Sequence, residues 1–165
     1  MHTILLALLI GLVNVSCDPS PQPPQQDGEG QTWYSISKFV DGDTFWVDDG
    51  SEKGLKIRLI GIDSPEPRSV YGRPPEPFGT EASQVMEDLI RGHRVRLEYD
   101  LDPYDRYGRT LAYVHLDDGT FVNAEMVRLG YAEVKTYPPN VKYQDMFYEL
   151  QVEAREAGRG MWGAE

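Results

Sequence analysis

What the chain lacks narrows it first. It has one cysteine, Cys17, in 165 residues, so no disulfide can close within it. Three histidines, His2, His93 and His115, are scattered without a spaced partner, which leaves little from which to build a zinc or iron site. Cations are in deficit: 16 Lys and Arg against 27 Asp and Glu give a formal net charge of −11. That counts against a protein that grips nucleic acid through a generally basic surface, while leaving a local cationic pocket open. The apolar run Ile4 to Val13 is too short to span a bilayer comfortably. There is no internal repeat.

What is present begins with that apolar run, which reads as the core of an export signal. The leader Met1-His2-Thr3 carries no Lys or Arg. Cys17 follows the small residue Ser16, and this ending resembles a bacterial lipoprotein signal, in which the cysteine becomes the lipidated N-terminus. Asn14 stands where that pattern has an aliphatic residue. The expectation is an exported protein of the cell envelope, anchored in the membrane through lipidated Cys17 or secreted. Residues 18–32 are rich in Pro and Gln and have no apolar anchor. They are expected to form a disordered tether, which reaches about 45 Å if extended.

The remaining residues, 33–163, make one domain with enough chain for a real core. Residues 33–40 and 44–47 have strand composition around the Asp41-Gly42-Asp43 turn. Leu55 to Ile62 alternates and then becomes continuously apolar, as a strand buried on both faces does. The proline-rich stretch from Pro65 to Pro77 can be neither helix nor central strand. Thr80 to Arg91 predicts a helix with Ala82, Val85, Met86, Leu89 and Ile90 on one face, Thr80 as its N-cap and Gly92 as its stop. Strands follow at 94–99 and 110–116. Asn123 is expected to cap a short helix ending at Gly130, residues 131–134 to form a brief strand, and Tyr143, Phe147, Leu150 and Ala154 to stripe a final helix. About five strands with helices inserted and appended suggest an α+β fold, a small barrel with its helices outside; an OB-type barrel fits the count, and so do other α+β folds.

Four stretches carry candidate chemistry. Two carboxylates flank Gly42 at the first turn, which serves either a hairpin, since Asp-Gly favours turns, or a cation. In "RLIGIDSPE", Arg58 lies in an apolar strand, where a charge is costly unless paired. Asp63 and Glu66 follow at the exit. Strict alternation puts Arg58 and Asp63 on opposite faces; a bend at Gly61 can bring them together. The plain alternative is a structural arginine–carboxylate pair at the barrel rim. "DRYGR", Asp105 to Arg109, is a turn that launches Arg109 from a fixed position. "YPPN" offers Tyr137.

In this order and spacing, DGDT, RLIGIDSPE and DRYGRTLAYV, with VN and LGYA after them, the chain resembles the thermonuclease family, the staphylococcal-nuclease-like domain, from about Val40 to Trp162. The resemblance implies an OB barrel that cleaves phosphodiester bonds of DNA and RNA with calcium. Asp43 and Asp63 would be carboxylate ligands of the ion, and Ser64 would offer its carbonyl. Glu66 would orient or deprotonate the attacking water, Arg58 and Arg109 would bind phosphate oxygens, Tyr107 would hydrogen-bond near a phosphate, and Tyr137 would stack on a base. Lys135 stands where some members have an aromatic. The resemblance also implies cleavage on the 5′-oxygen side, leaving 3′-phosphates. Carboxylates, a carbonyl and waters select a hard cation, Ca²⁺ ahead of Mg²⁺. Single-stranded or frayed DNA and RNA are the expected substrates, because a stacking pocket needs an unpaired base; no protein partner is implied. The competing expectation is a non-catalytic nucleic-acid-binding OB module of the cell envelope.

Overall fold

The alternating segments close into one barrel in the computed structural model, which describes residues 24–28, 30–69 and 72–163. The export signal, Cys17 and residues 18–23 lie outside the described residues. The strands are β1 (Gln25–Gln26), β2 (Thr32–Asp41), β3 (Thr44–Asp48), β4 (Leu55–Leu59), β5 (Ile62–Asp63), β6 (Arg94–Glu98), β7 (Thr110–Leu116) and β8 (Glu133–Val134). Helix α1 (Gly79–Ile90) precedes β6, α2 (Val122–Arg128) follows β7, and α3 (Gln144–Glu156) follows β8. A 3₁₀ turn, Gly160–Trp162, comes last.

β2, β3 and β4 form an antiparallel meander. β4 then pairs in parallel with β7, Ile57 facing Thr110 and Leu59 facing Ala112. β7 pairs antiparallel with β6, and β6 returns to β2, Trp33 facing Arg96, which closes the cylinder. The result is the expected mixed five-stranded barrel with three helices. Two register shifts in β2 let so long a strand bend around the barrel.

Inward residues Phe45, Val47, Ile57, Leu59, Val95, Ala112 and Val114 are fully or almost fully buried; each of the large ones contributes about 1.5–3 kcal/mol relative to exposure. α1 adds Met86 and Ile90, and α2 adds Met126 and Val127. β7 is covered on its other face too. There the Tyr113 ring meets Tyr143 edge-on at 4.7 Å and lies 6.3 Å from Phe147, so α3 packs through an aromatic layer.

Four expectations are corrected. α1 begins at Gly79, after Phe78, with no side-chain cap; a Cβ at residue 79 would lie 2.4 Å from the Glu66 carbonyl oxygen, so only glycine lets the helix start so close to that strand exit. Thr80 is therefore inside the helix. Asn123 is also inside, one residue past the start of α2. It is fully buried: its Oδ1 accepts from Val114 N, and its Nδ2 donates to the Ile60 carbonyl. It pins α2 to the seam between β4 and β7. The strand expected from Leu55 to Ile62 breaks after Leu59 and resumes at Ile62. Finally, part of the expected tether is ordered: β1 pairs with Thr32 and Trp33, and Asp27 accepts from the Trp33 indole at 2.9 Å. Trp33 was the missing apolar anchor.

Candidate active site

The site starts at the turn between β2 and β3. Asp41 Oδ1 accepts from Asp43 N at 3.2 Å, the local bond that makes Asp-Gly a turn. Gly42 sits against Ser64, so closely that a Cβ there would be 2.5 Å from the Ser64 hydroxyl. That approach lets Ser64 N donate to Asp43 Oδ2 at 2.9 Å. Ser64 thus meets Asp43 through its N–H, behind the cavity wall. Asp43 Oδ1 accepts from Thr44 Oγ1. Asp43 is only 6 % exposed. Burial pushes its carboxyl up to about 6; Arg58 opposes the rise, while Asp41 and Asp63 add to it.

Gly61 supplies the bend that alternation could not. It has φ 80°, a conformation that suits glycine. The chain reverses there, and Arg58 Nη1 donates to the Ile62 carbonyl at 2.9 Å. The Arg58 guanidinium then spans the two aspartates, Nη1 to Asp43 Oδ2 at 2.9 Å and Nη2 to Asp63 Oδ1 at 2.6 Å. The structural pair and the candidate cluster are the same object. β5, which carries Asp63, is held by β8, with Asp63 facing Glu133. That pairing delivers Lys135, whose Nζ lies 2.6 Å from Asp63 Oδ2. Sequence reasoning assigned Lys135 no charge role. Seventy-two residues separate the pair, and the local pattern carries no signal of it.

Glu66 is anchored by its backbone. Its N–H donates to Glu76 Oε2, and its carbonyl accepts from Glu76 N, so the proline-rich stretch folds back on itself. Burial raises the Glu66 carboxyl, the charges of Asp43, Asp63 and Glu76 raise it further, and Arg58 works against them. Arg68, beyond it, donates to the Val40 carbonyl at 2.6 Å.

The opposite wall is the loop before β7. Asp105 accepts from Tyr107 N and Arg109 N, and its Oδ2 takes Arg109 Nε at 2.6 Å. This fixes the guanidinium by one edge and leaves its terminal amino groups for an incoming anion. Tyr107 lies beneath Arg106 and Arg109, 4.8 and 5.6 Å from its ring centroid. Tyr107 and Tyr137 are 62 % and 65 % exposed. Asn140 is buried and bonds Asp102 N and the Asp102 carbonyl, which ties the Tyr137 loop to this wall.

Asp43, Arg58, Asp63, Glu66, Arg109, Tyr107 and Tyr137 all line one cavity of about 1170 Å³. Of the expected site residues inside the domain, only Ser64 is not on its wall. Seven Lys or Arg side chains line it against six Asp or Glu. The wall is therefore close to neutral on a chain of net charge −11. The two remaining histidines play structural parts: His93 is 2.8 Å from Asp117, and His115 is 2.9 Å from Glu98 and stacks on Phe121.

A barrel whose cavity sets four arginines beside paired aspartates has the chemistry of an OB fold that handles a nucleic-acid backbone. The family model "Staphylococcal nuclease homologue" matches residues 56–164. The thermonuclease of Staphylococcus intermedius is 42 % identical over 130 residues, covering 78 % of this chain and 75 % of that protein. An uncharacterized endonuclease of Escherichia coli O157:H7 is 37 % identical over 131 residues, covering 77 % and 74 %. Endonuclease YncB of Bacillus subtilis (strain 168) is 34 % identical over 133 residues, covering 78 % and 60 %. The chain belongs to the staphylococcal nuclease homologue family and is a nuclease.

Proposed function

We propose that the protein hydrolyses phosphodiester bonds of DNA and RNA, with Ca²⁺ held at the Asp43–Asp63 pair. The observation that carries this reading is the convergence of Asp43, Arg58, Asp63, Glu66 and Arg109 on one cavity. The donors fit a hard cation. They are carboxylate oxygens, which a hard cation takes; they form no ready-made cage of three among the described residues, and an ion would share or displace the Arg58 and Lys135 contacts they now make. Such an ion would keep several waters and bind weakly without substrate. The buried Asp43 carboxyl, crowded by Asp41 and Asp63, is where added positive charge is most favourable.

The bound ion would polarise a phosphate oxygen and lower the charge that repels a nucleophile. The protein supplies the rest. Arg109, braced by Asp105, presents its free amino groups to the non-bridging oxygens and follows their charge as it grows. Arg58 stands on the other side, shared between the aspartates. The raised carboxyl of Glu66 makes it a better acceptor for the proton of an attacking water. As the P–O bond to water forms, the bond to the 5′-oxygen breaks. That oxygen takes a proton from solvent, and a 3′-phosphate remains. Tyr137 offers an exposed ring to an unpaired base, which favours single strands and frayed ends. The chain is exported and tethered through lipidated Cys17.

The test is cleavage of DNA and RNA with and without chelator. Loss of cleavage in chelator, restored by Ca²⁺, is the expected result. Substrate binding with no cleavage under any divalent ion identifies a binding module and overturns the proposal. Mass analysis of the mature protein for a diacylglyceryl group on Cys17 tests the anchor.

A further inference from the structure

Among the described residues, Tyr99, Tyr104, Tyr107, Tyr137 and Tyr148 are exposed, and three of them follow one another along the segment between β6 and β7. Tyr107 and Tyr104 line the active-site cavity, 62 % and 66 % exposed. Tyr99 follows, 47 % exposed. It opens the segment between β6 and β7 that also carries Tyr104 and Tyr107. Tyr99 and Tyr34 in turn line a second cavity of about 500 Å³ with Leu97 and Arg96. It lies where the β2–β6 pairing ends, at Trp33 and Arg96. Among the described residues Arg96 makes no ion pair. The candidate site uses none of Tyr34, Arg96 or Tyr99.

We infer that the row from Tyr107 through Tyr104 and Tyr99 to Tyr34 and Arg96 is a track for single-stranded nucleic acid, holding the nucleotides that flank the scissile phosphate. This rests on the nuclease reading of the cavity where the row begins. Aromatic faces interleaved with arginine suit unpaired bases of any sequence. The acids along the row do little to oppose it. Asp100 is turned inward, accepting from Tyr113 Oη and Lys142 N, and Asp105 braces Arg109; Asp102 lines the cavity beside Asp105. With a single free cation at its far end, the track draws mainly on stacking. The segment from Tyr99 to Tyr104 links the lining of one cavity to that of the other, and the strand being cut is the track's occupant.

The test compares cleavage of a dinucleotide and of a single-stranded oligonucleotide of about twelve residues, a length within the span of one OB fold. For Tyr99→Ala and Arg96→Ala, KM for the long substrate is expected to rise about five- to tenfold with kcat kept, while the dinucleotide kinetics stay those of the parent. Tyr99→Phe, which keeps the ring, is expected to retain the parent KM. Parent-like kinetics of Tyr99→Ala and Arg96→Ala on the long substrate overturn the track and leave the row to a protein or membrane partner. An equal loss on both substrates overturns it as well, because the residues would then act through the active-site loop. A parent enzyme that binds the long strand but cuts neither substrate overturns the nuclease reading and this inference together.

Discussion

Two carboxylate–cation clusters sit at different places on this barrel and behave in opposite ways. At the rim, Asp43 is buried against Arg58, with Asp41 and Asp63 close by, and its carboxyl rises to about 6. On β6, burial alone would also raise Glu98, but hydrogen bonds from Lys142, His115 and Tyr143 outweigh it and hold the carboxyl below its ordinary value. Glu98 has a full set of donors from β7 and the start of α3, and none of them is shared with another acid. Asp43 and Asp63 divide one guanidinium between them. The Glu98 cluster binds the fold together. The rim cluster, even with Lys135 on Asp63, gathers more acids than cations, and a bound cation would relieve that excess.

Four changes probe this contrast. Glu66→Gln has the largest expected effect, a fall in turnover of about 10²–10⁴-fold with substrate binding kept, since it removes the proton acceptor; parent-like turnover in a single-turnover assay would remove Glu66 from the mechanism. Asp43→Asn is expected to lower cleavage less steeply than Glu66→Gln and yet raise the stability of the metal-free protein near neutral pH by about 1–3 kcal/mol. The sign follows from the raised carboxyl. Ionising Asp43 costs more in the folded chain, so stability falls as pH climbs from 3.8 through about 6. Thermal melts in chelator across that range check it, and a destabilised variant at pH 7 would sink the contrast. Glu98→Gln should act the other way, costing about 1–3 kcal/mol at neutral pH through lost charge-assisted bonds with little change in kcat. Its lowered carboxyl contributes stability that is present above the unfolded value of 4.5 and is lost as pH falls through the folded one. The melting difference from the parent should therefore shrink in acid. Lys135→Gln is the smallest: freeing Asp63 from an exposed ion pair is expected to tighten Ca²⁺ binding by up to about fivefold, read by calorimetry without substrate. Lys135→Arg should leave the affinity near the parent's.

Much of this was legible in the sequence because the decisive residues are close together along it. Asp41 to Asp43 and Arg58 to Glu66 are short strings whose turns depend on local chemistry, Asx bonding in one and a glycine bend in the other. The barrel followed from strand alternation, and α1 and α3 from their apolar stripes. What stayed hidden depends on contacts across the chain. Asn123 carries the composition of a helix cap, but its true partners are Val114 and Ile60, 9 and 63 positions away. Thr80 lost the start of α1 to a glycine chosen for its fit against Glu66. Lys135 reaches Asp63 only because β5 and β8 pair, and two-residue strands leave no periodicity to read.

That last pairing has a consequence for how the protein is made. Asp63 is delivered early in translation, but the strand that steadies it, and the Tyr137 loop beyond, arrive with the final fifth or so of the chain. A ribosome that has not yet finished holds arginines and aspartates without their scaffold. A copy that stops before Glu133 is therefore expected to lack both the strand that steadies Asp63 and the Tyr137 loop.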